Sequence, residues 1–197
     1  MFMKINLSKV KKMSRILRTV MNVFFWVTIV TGMIFVIVCI LILFGILKLP
    51  ETGNMPISLV LNGIISYKLD PSMYEASKLK PVFLAFIPIV VLGASMLAII
   101  FKQVSSILRT VEKDCPFEGK NSKRLTIIGI VLIISSIVFN IAQYNIVETM
   151  IENFQIANLD VKYSFDGTML TTGFLILILA GVFMYGSFLQ NEYDATL

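Results

Sequence analysis

At 197 residues, 57% hydrophobic and 15% charged, the chain is too apolar for an ordinary soluble domain, which is nearer half apolar and a quarter charged. Its formal net charge of +5 comes with no histidine, which removes the commonest general base and metal ligand. Four charge-free runs leave only short connections, so no separate soluble catalytic module fits between them.

Those runs are Thr19–Leu47 (29 residues), Pro81–Phe101 (21), Leu125–Val147 (23) and Gly167–Asn191 (25). A hydrocarbon core about 30 Å thick is crossed by about 20 apolar residues in a helix. A helix also satisfies its own backbone hydrogen bonds, which lipid cannot do. The pattern predicts an all-α membrane protein: one domain over 19–191 with spans near 19–47, 81–101, 125–147 and 167–191. A basic segment, 1–18, precedes it and a short tail, 192–197, follows.

The segment 1–18 carries six basic residues and no acid, and Met3, Leu7, Val10, Ile16 and Leu17 fall near one helical stripe. This predicts a short amphipathic helix lying on the membrane surface before the chain turns into the first span. The first span would reach about 44 Å if perpendicular, so it should tilt or project beyond the lipid. Phe25 and Trp26 suit its interfacial end. The run is about twice the length of a signal-peptide core and ends in no small-x-small site, so a cleavable signal is not expected.

In the first loop, residues 57–61 and 64–69 are β-rich and are separated by Asn62-Gly63, a preferred two-residue hairpin turn. In the third loop, Leu159, Val161, Tyr163 and Phe165 alternate with polar residues, as a half-buried strand does. Together these predict a small extracellular β cap from loops 1 and 3; the plainer alternative is two unrelated loops packed on helix ends. The second span contains Pro88, which predicts a kink. Val104, Ile107, Leu108 and Val111 extend its helix beyond the lipid. An elbow containing Pro116 follows, with Asn121 as the expected N-cap of the third helix.

Basic residues in short loops favour the cytoplasm. With both termini inside, twelve Lys and Arg face in and five face out. The expected localisation is a multi-pass cell-membrane protein with cytoplasmic N- and C-termini. The basic N-terminus fits anionic lipid better than nucleic acid, and no direct nucleic-acid partner is expected.

No Asp, Glu, Lys or Arg lies inside a span. Such groups mark proton relays and ion pathways and cost about 2.5 kcal/mol or more at mid-membrane. Their absence argues against a proton-coupled transporter and a paired-aspartate protease. No phosphate loop or metal-binding helix motif occurs, so the expectation is no enzyme and no cofactor. Ser135, Ser136, Asn140, Gln143 and Asn145 make the third span the most polar. Ser136, Asn140 and Gln143 are candidates for lining an outward cavity, although hydrogen bonding between helices explains them as well. Small residues at Gly93, Ala94, Ser95 and Ala98, and more loosely at Gly173, Gly181 and Gly186, suit close helix packing or a homo-oligomer. Cys39 lies in a span and Cys115 in the elbow, so no disulfide is expected. Cys115 lacks a histidine partner, and a plain surface thiol is the simpler reading.

Two stretches carry a family resemblance. The elbow reads Asp114-Cys-Pro-Phe-Glu-Gly-Lys-Asn-Ser-Lys-Arg-Leu125, and the end of the fourth span reads Phe183-Met-Tyr-Gly-Ser-Phe-Leu-Gln190, then Glu192-Tyr-Asp194. This "Pro-Phe … Asn … Arg-Leu" elbow with a "Phe-x-Tyr-Gly-x-x-Leu-Gln-x-Glu-x-Asp" terminus resembles domain-of-unknown-function family 2975. That resemblance implies a small four-helix membrane protein of low-GC Gram-positive bacteria, with no established activity. Members are often encoded beside a small helix-turn-helix regulator. The implied function is non-enzymatic sensing or regulation through a cytoplasmic partner. Its candidate contacts are Pro116, Phe117, Asn121, Arg124, Gln190, Glu192 and Asp194. Immunity against membrane-active peptides, or a role as accessory to an efflux complex, is the alternative.

Overall fold

The computed structural model describes residues 7–47, 58–61, 65–68, 76–154 and 167–196. They form helix α1 (Leu7–Leu43), strands β1 (Ser58–Leu61) and β2 (Ile65–Lys68), then helices α2 (Ala76–Glu112), α3 (Gly119–Phe154) and α4 (Thr168–Ala195). All four helices are long and apolar enough to cross a membrane, so this is a multi-pass membrane protein.

The helices exceed the expected spans. The 37 residues of α1 and of α2 each reach about 55 Å, nearly twice the hydrocarbon thickness. Leu7 to Arg18 is therefore not a separate surface helix that turns into the membrane; it is the first three turns of α1. Helix α2 continues to Glu112, as Val104, Ile107, Leu108 and Val111 predict, and its helical course includes both Pro81 and Pro88. Helix α3 starts at Gly119, so Asn121 lies inside it and is not its N-cap. Helix α4 includes Glu192 and Asp194, which makes most of the expected tail helical.

Two compact units divide the chain. One holds α1 through Gly32, α2 from Leu92, α3 through Asn140 and all of α4. Here glycines bring backbones together. A Cβ on Gly173 would lie 2.9 Å from the Gly129 carbonyl oxygen and 2.7 Å from Ile133 Cγ1, so α3 and α4 touch main chain to main chain. Gly32 faces Ala94 between α1 and α2, and Gly93 faces the Phe139 ring between α2 and α3. A Cβ on Gly181 would meet nothing within 4 Å among the described residues. Hydroxyls turn back on their own helices: Thr28 donates to the Phe24 carbonyl and Thr31 to the Val27 carbonyl, both at 2.8 Å. That satisfies a polar group where lipid offers no partner. Large apolar side chains point outward, among them Trp26, Ile178 and Val182, each more than half exposed. In water such a surface would drive association; in hydrocarbon it faces its own solvent.

The other unit holds α1 from Met33, the hairpin, α2 through Val91 and α3 from Ile141. Cys39, Ile42, Val82, Ile146 and Phe154 are buried in it. Helix α1 ends where Gly45 adopts φ +69, with Ile46 N–H on the Leu41 carbonyl and Gly45 N–H on the Ile42 carbonyl. Only glycine enters that left-handed region freely. Lys80 Nζ donates to the Leu43 carbonyl at 2.9 Å, a cation at the negative end of a helix dipole. Strands β1 and β2 are antiparallel, with Leu61 opposite Ile65. Three residues therefore connect them, one more than the expected Asn62-Gly63 turn. The expected third strand, 159–165, lies outside the described residues, and a joint β cap with it.

Replacing Gly173 with Ala should lower the thermal midpoint in detergent by the equivalent of about 1–3 kcal/mol, the usual cost of overpacking. Gly181→Ala should leave the midpoint unchanged or raise it, since its Cβ meets open space.

Candidate functional site

The elbow between α2 and α3 is where polar chemistry is concentrated. Helix α2 stops through a left-handed residue: Asp114 sits at φ 62. Cys115 N–H bonds the Thr110 carbonyl at 3.0 Å and Asp114 N–H the Val111 carbonyl at 3.2 Å. Glycine or asparagine is usual at that position, and aspartate tolerates it better than most residues. Here the side chain has a further use, since Asp114 Oδ2 pairs with Lys11 Nζ of α1 at 2.5 Å. Both groups are well exposed, so the pair contributes little stability.

Asn121 is the centre of the elbow and is fully buried. Its Nδ2 donates to Thr110 Oγ1 at 2.5 Å and to the Pro116 carbonyl at 2.9 Å. Thr110 gives its own proton to the Ile107 carbonyl at 2.6 Å, which leaves its oxygen free to accept. Asn121 Oδ1 accepts from Arg124 Nη1 at 2.7 Å, and the same nitrogen reaches the Ser106 carbonyl at 3.2 Å. One amide thus joins the end of α2, the turn and the first turns of α3. Both its N–H groups and one lone pair are used, as burial requires.

The elbow is also clamped to α4. The Phe117 ring lies against Phe183 with centroids 5.3 Å apart. A Cβ on Gly186 would come within 2.8 Å of the Phe117 ring. Ser122 Oγ donates to the Ala180 carbonyl at 2.9 Å. From the other side, Arg18 of α1 pairs with Glu112 at 3.3 Å. Glu112 Oε1 is buried with no hydrogen-bond partner among the described residues.

The structure sorts the expected site residues. Pro116, half-buried, offers its carbonyl to Asn121, and Phe117 remains 40% exposed. Asn121 and Arg124 hydrogen-bond within the elbow and hold its turn. Gln190, Glu192 and Asp194 are exposed on the end of α4, which begins its last two turns beside Phe117. In the polar third span, Ser136 and Asn140 are buried and Asn140 Nδ2 donates to the Ser136 carbonyl at 2.6 Å; Gln143 is exposed. Thr110, Arg18 and Glu112 escaped sequence reading because their partners lie up to about a hundred residues away. Among the described residues no group of three or more His, Cys, Asp or Glu could hold a metal.

The two stretches that carry the resemblance are thus two sides of one packing arrangement. A family match extends over residues 50–197, about three quarters of the chain. The chain belongs to the family described as Protein of unknown function (DUF2975). No curated protein and no solved structure matches it. In this DUF2975 chain Phe117 fills the notch at Gly186 while Asn121 and Arg124 brace the turn beneath it.

Asn121→Ala should strip Thr110, Pro116 and Arg124 of a shared partner and lower stability by about 2 kcal/mol, read as a fall in detergent melting midpoint. Lys120→Ala, which removes an exposed 3.6 Å ion pair with Glu118, should move that midpoint little.

Proposed function

We propose that this DUF2975 protein is a non-enzymatic regulator of the bacterial cell membrane, with both termini and the elbow in the cytoplasm, acting through a cytoplasmic protein partner. The observation that carries this is the acidic end of α4. Glu192 and Asp194 occupy its last turns with no basic residue there, where the helix dipole disfavours carboxylates. An arrangement that works against local stability is expected where function requires it. The carboxylates stand on the same end of α4 that packs on the exposed Phe117. An apolar ring beside an acidic helix end suits a basic, partly apolar partner, such as the small helix-turn-helix regulator encoded beside many relatives. Pro116, Phe117, Gln190, Glu192 and Asp194 would contact it, with Asn121 and Arg124 as positioning residues. The alternative, immunity against membrane-active peptides or a role as accessory to an efflux complex, is favoured by no comparable observation among the described residues, where Ser136 and Asn140 are buried and Gln143 is exposed.

The full chain in mild detergent should co-purify with an adjacently encoded helix-turn-helix regulator. Glu192→Lys combined with Asp194→Lys should weaken that capture about tenfold, the scale of two lost charge contacts. Equal capture by the double variant would contradict the assigned face. Sidedness has a native reporter: Cys115 is exposed and Cys39 is buried. A membrane-impermeant maleimide should label Cys115 in inside-out vesicles and spare it in intact cells. The opposite pattern would reverse the topology.

A further inference from the structure

An open groove of about 510 Å³ runs between α1 and α2 where their apolar runs give way to charge. Arg18, Asn22 and Trp26 line it from α1, and Lys102, Ser105 and Arg109 from α2. The α1 residues are spaced by four and the α2 residues by three and four, so each set forms a stripe along one helix face. Ser105 Oγ donates to Asn22 Oδ1 at 2.7 Å, which ties the two stripes together. Three cations line the groove and no acid does. Arg18 is partly answered by Glu112, whereas Lys102 Nζ and the Arg109 guanidinium have no ion-pair or hydrogen-bond partner among the described residues.

The position matters as much as the charge. Arg18 immediately precedes the first charge-free run and Lys102 immediately follows the second. On the membrane side, Phe24 stacks on Phe101 with centroids 5.6 Å apart. Trp26, 63% exposed, reaches out at the same level, the usual depth of interfacial tryptophan. The groove therefore straddles the boundary at which lipid phosphates lie. Basic pockets between membrane helices at this depth suit anionic headgroups, with hydroxyl and amide groups adding hydrogen bonds to phosphate oxygens. A merely solvated charged rim would need neither the paired stripes nor the aromatic rings of Phe25 and Trp26 in its lining.

We propose that this groove is a binding site for a phosphate-bearing anion, namely the headgroup of an anionic phospholipid. Lys102 and Arg109 hold the phosphate, Arg18 and Ser105 flank it, and the acyl chains descend past Trp26 along the outer face of α1. The site does not depend on which leaflet faces the elbow, and none of the residues lining it is among those assigned to the partner face.

Trp26 is the only tryptophan, so it reports on the groove directly. The full chain in non-ionic detergent would be titrated with dibrominated phosphatidylglycerol or dibrominated phosphatidylcholine, whose bromines quench a neighbouring indole. Quenching by phosphatidylglycerol should saturate at a mole fraction about tenfold or more below that needed with phosphatidylcholine. Lys102→Gln with Arg109→Gln should remove that preference, and Lys102→Arg should keep it. Lys12→Gln with Lys123→Gln, which removes equal charge outside the groove, should leave it intact. Equal quenching by both lipids, or equal loss in the two double variants, would overturn the site. Inorganic phosphate at matched concentration should not displace the brominated lipid. Displacement would overturn the lipid assignment in favour of a free phosphate compound.

Discussion

Every peptide group in the apolar runs must find its hydrogen bond within the protein, because hydrocarbon supplies none. This constraint makes each run a helix and turns hydroxyls within it back onto the helix's own carbonyls. The threonines of α1 bond to carbonyls four residues back. Ser135 does the same to Val131. With no hydrophobic drive between helices in lipid, association depends on close contact. The Gly129–Gly173 approach, with a prospective Cβ 2.9 Å from a carbonyl oxygen, is the clearest case. The same constraint explains a surface covered in Ile, Val, Leu and Phe that would be a liability in water.

Beyond the lipid the rules change, and the helices carry on into that region. The extensions of α1 and α2 meet through Lys11–Asp114, Arg18–Glu112 and Asn22–Ser105. The exposed Lys11–Asp114 pair adds little stability, but it helps fix direction. The greater contribution to the elbow comes from Asn121, whose buried amide is committed three ways. In the proposed partner role a rigid elbow has an advantage, because few side chains then need ordering on binding. The acidic end of α4 and the basic groove between α1 and α2 present opposite charges, as separate binding roles would require.

The spans were legible because a charge-free run of twenty or more residues has few alternatives to a membrane helix. The extension of α2 was legible from the three- and four-residue recurrence of Val104, Ile107, Leu108 and Val111. Misreadings arose where a distant partner decides the outcome. The lysines and arginines of residues 9–18 look like a surface-lying helix until Glu112 and Asp114 are placed beside them. Asn121 has the chemistry of an N-cap, yet Thr110 and Arg124 draw it into the interior. The hairpin was visible in its two β-rich runs, but its register shifts by one residue from the Asn-Gly expectation. The groove was visible only as two separate stripes, on α1 and α2, whose meeting no local pattern announces.

Lipid as the solvent of the four spans is the claim beneath all the others. Hydrogen–deuterium exchange on the full chain in lipid nanodiscs tests it most directly. Amides between Thr28 and Leu43, and at the centres of α2, α3 and α4, should stay unexchanged for hours, while those of Lys9 to Arg15 at the water-facing start of α1 exchange first. Rapid exchange through the middle of any of the four helices would contradict a bilayer-spanning bundle.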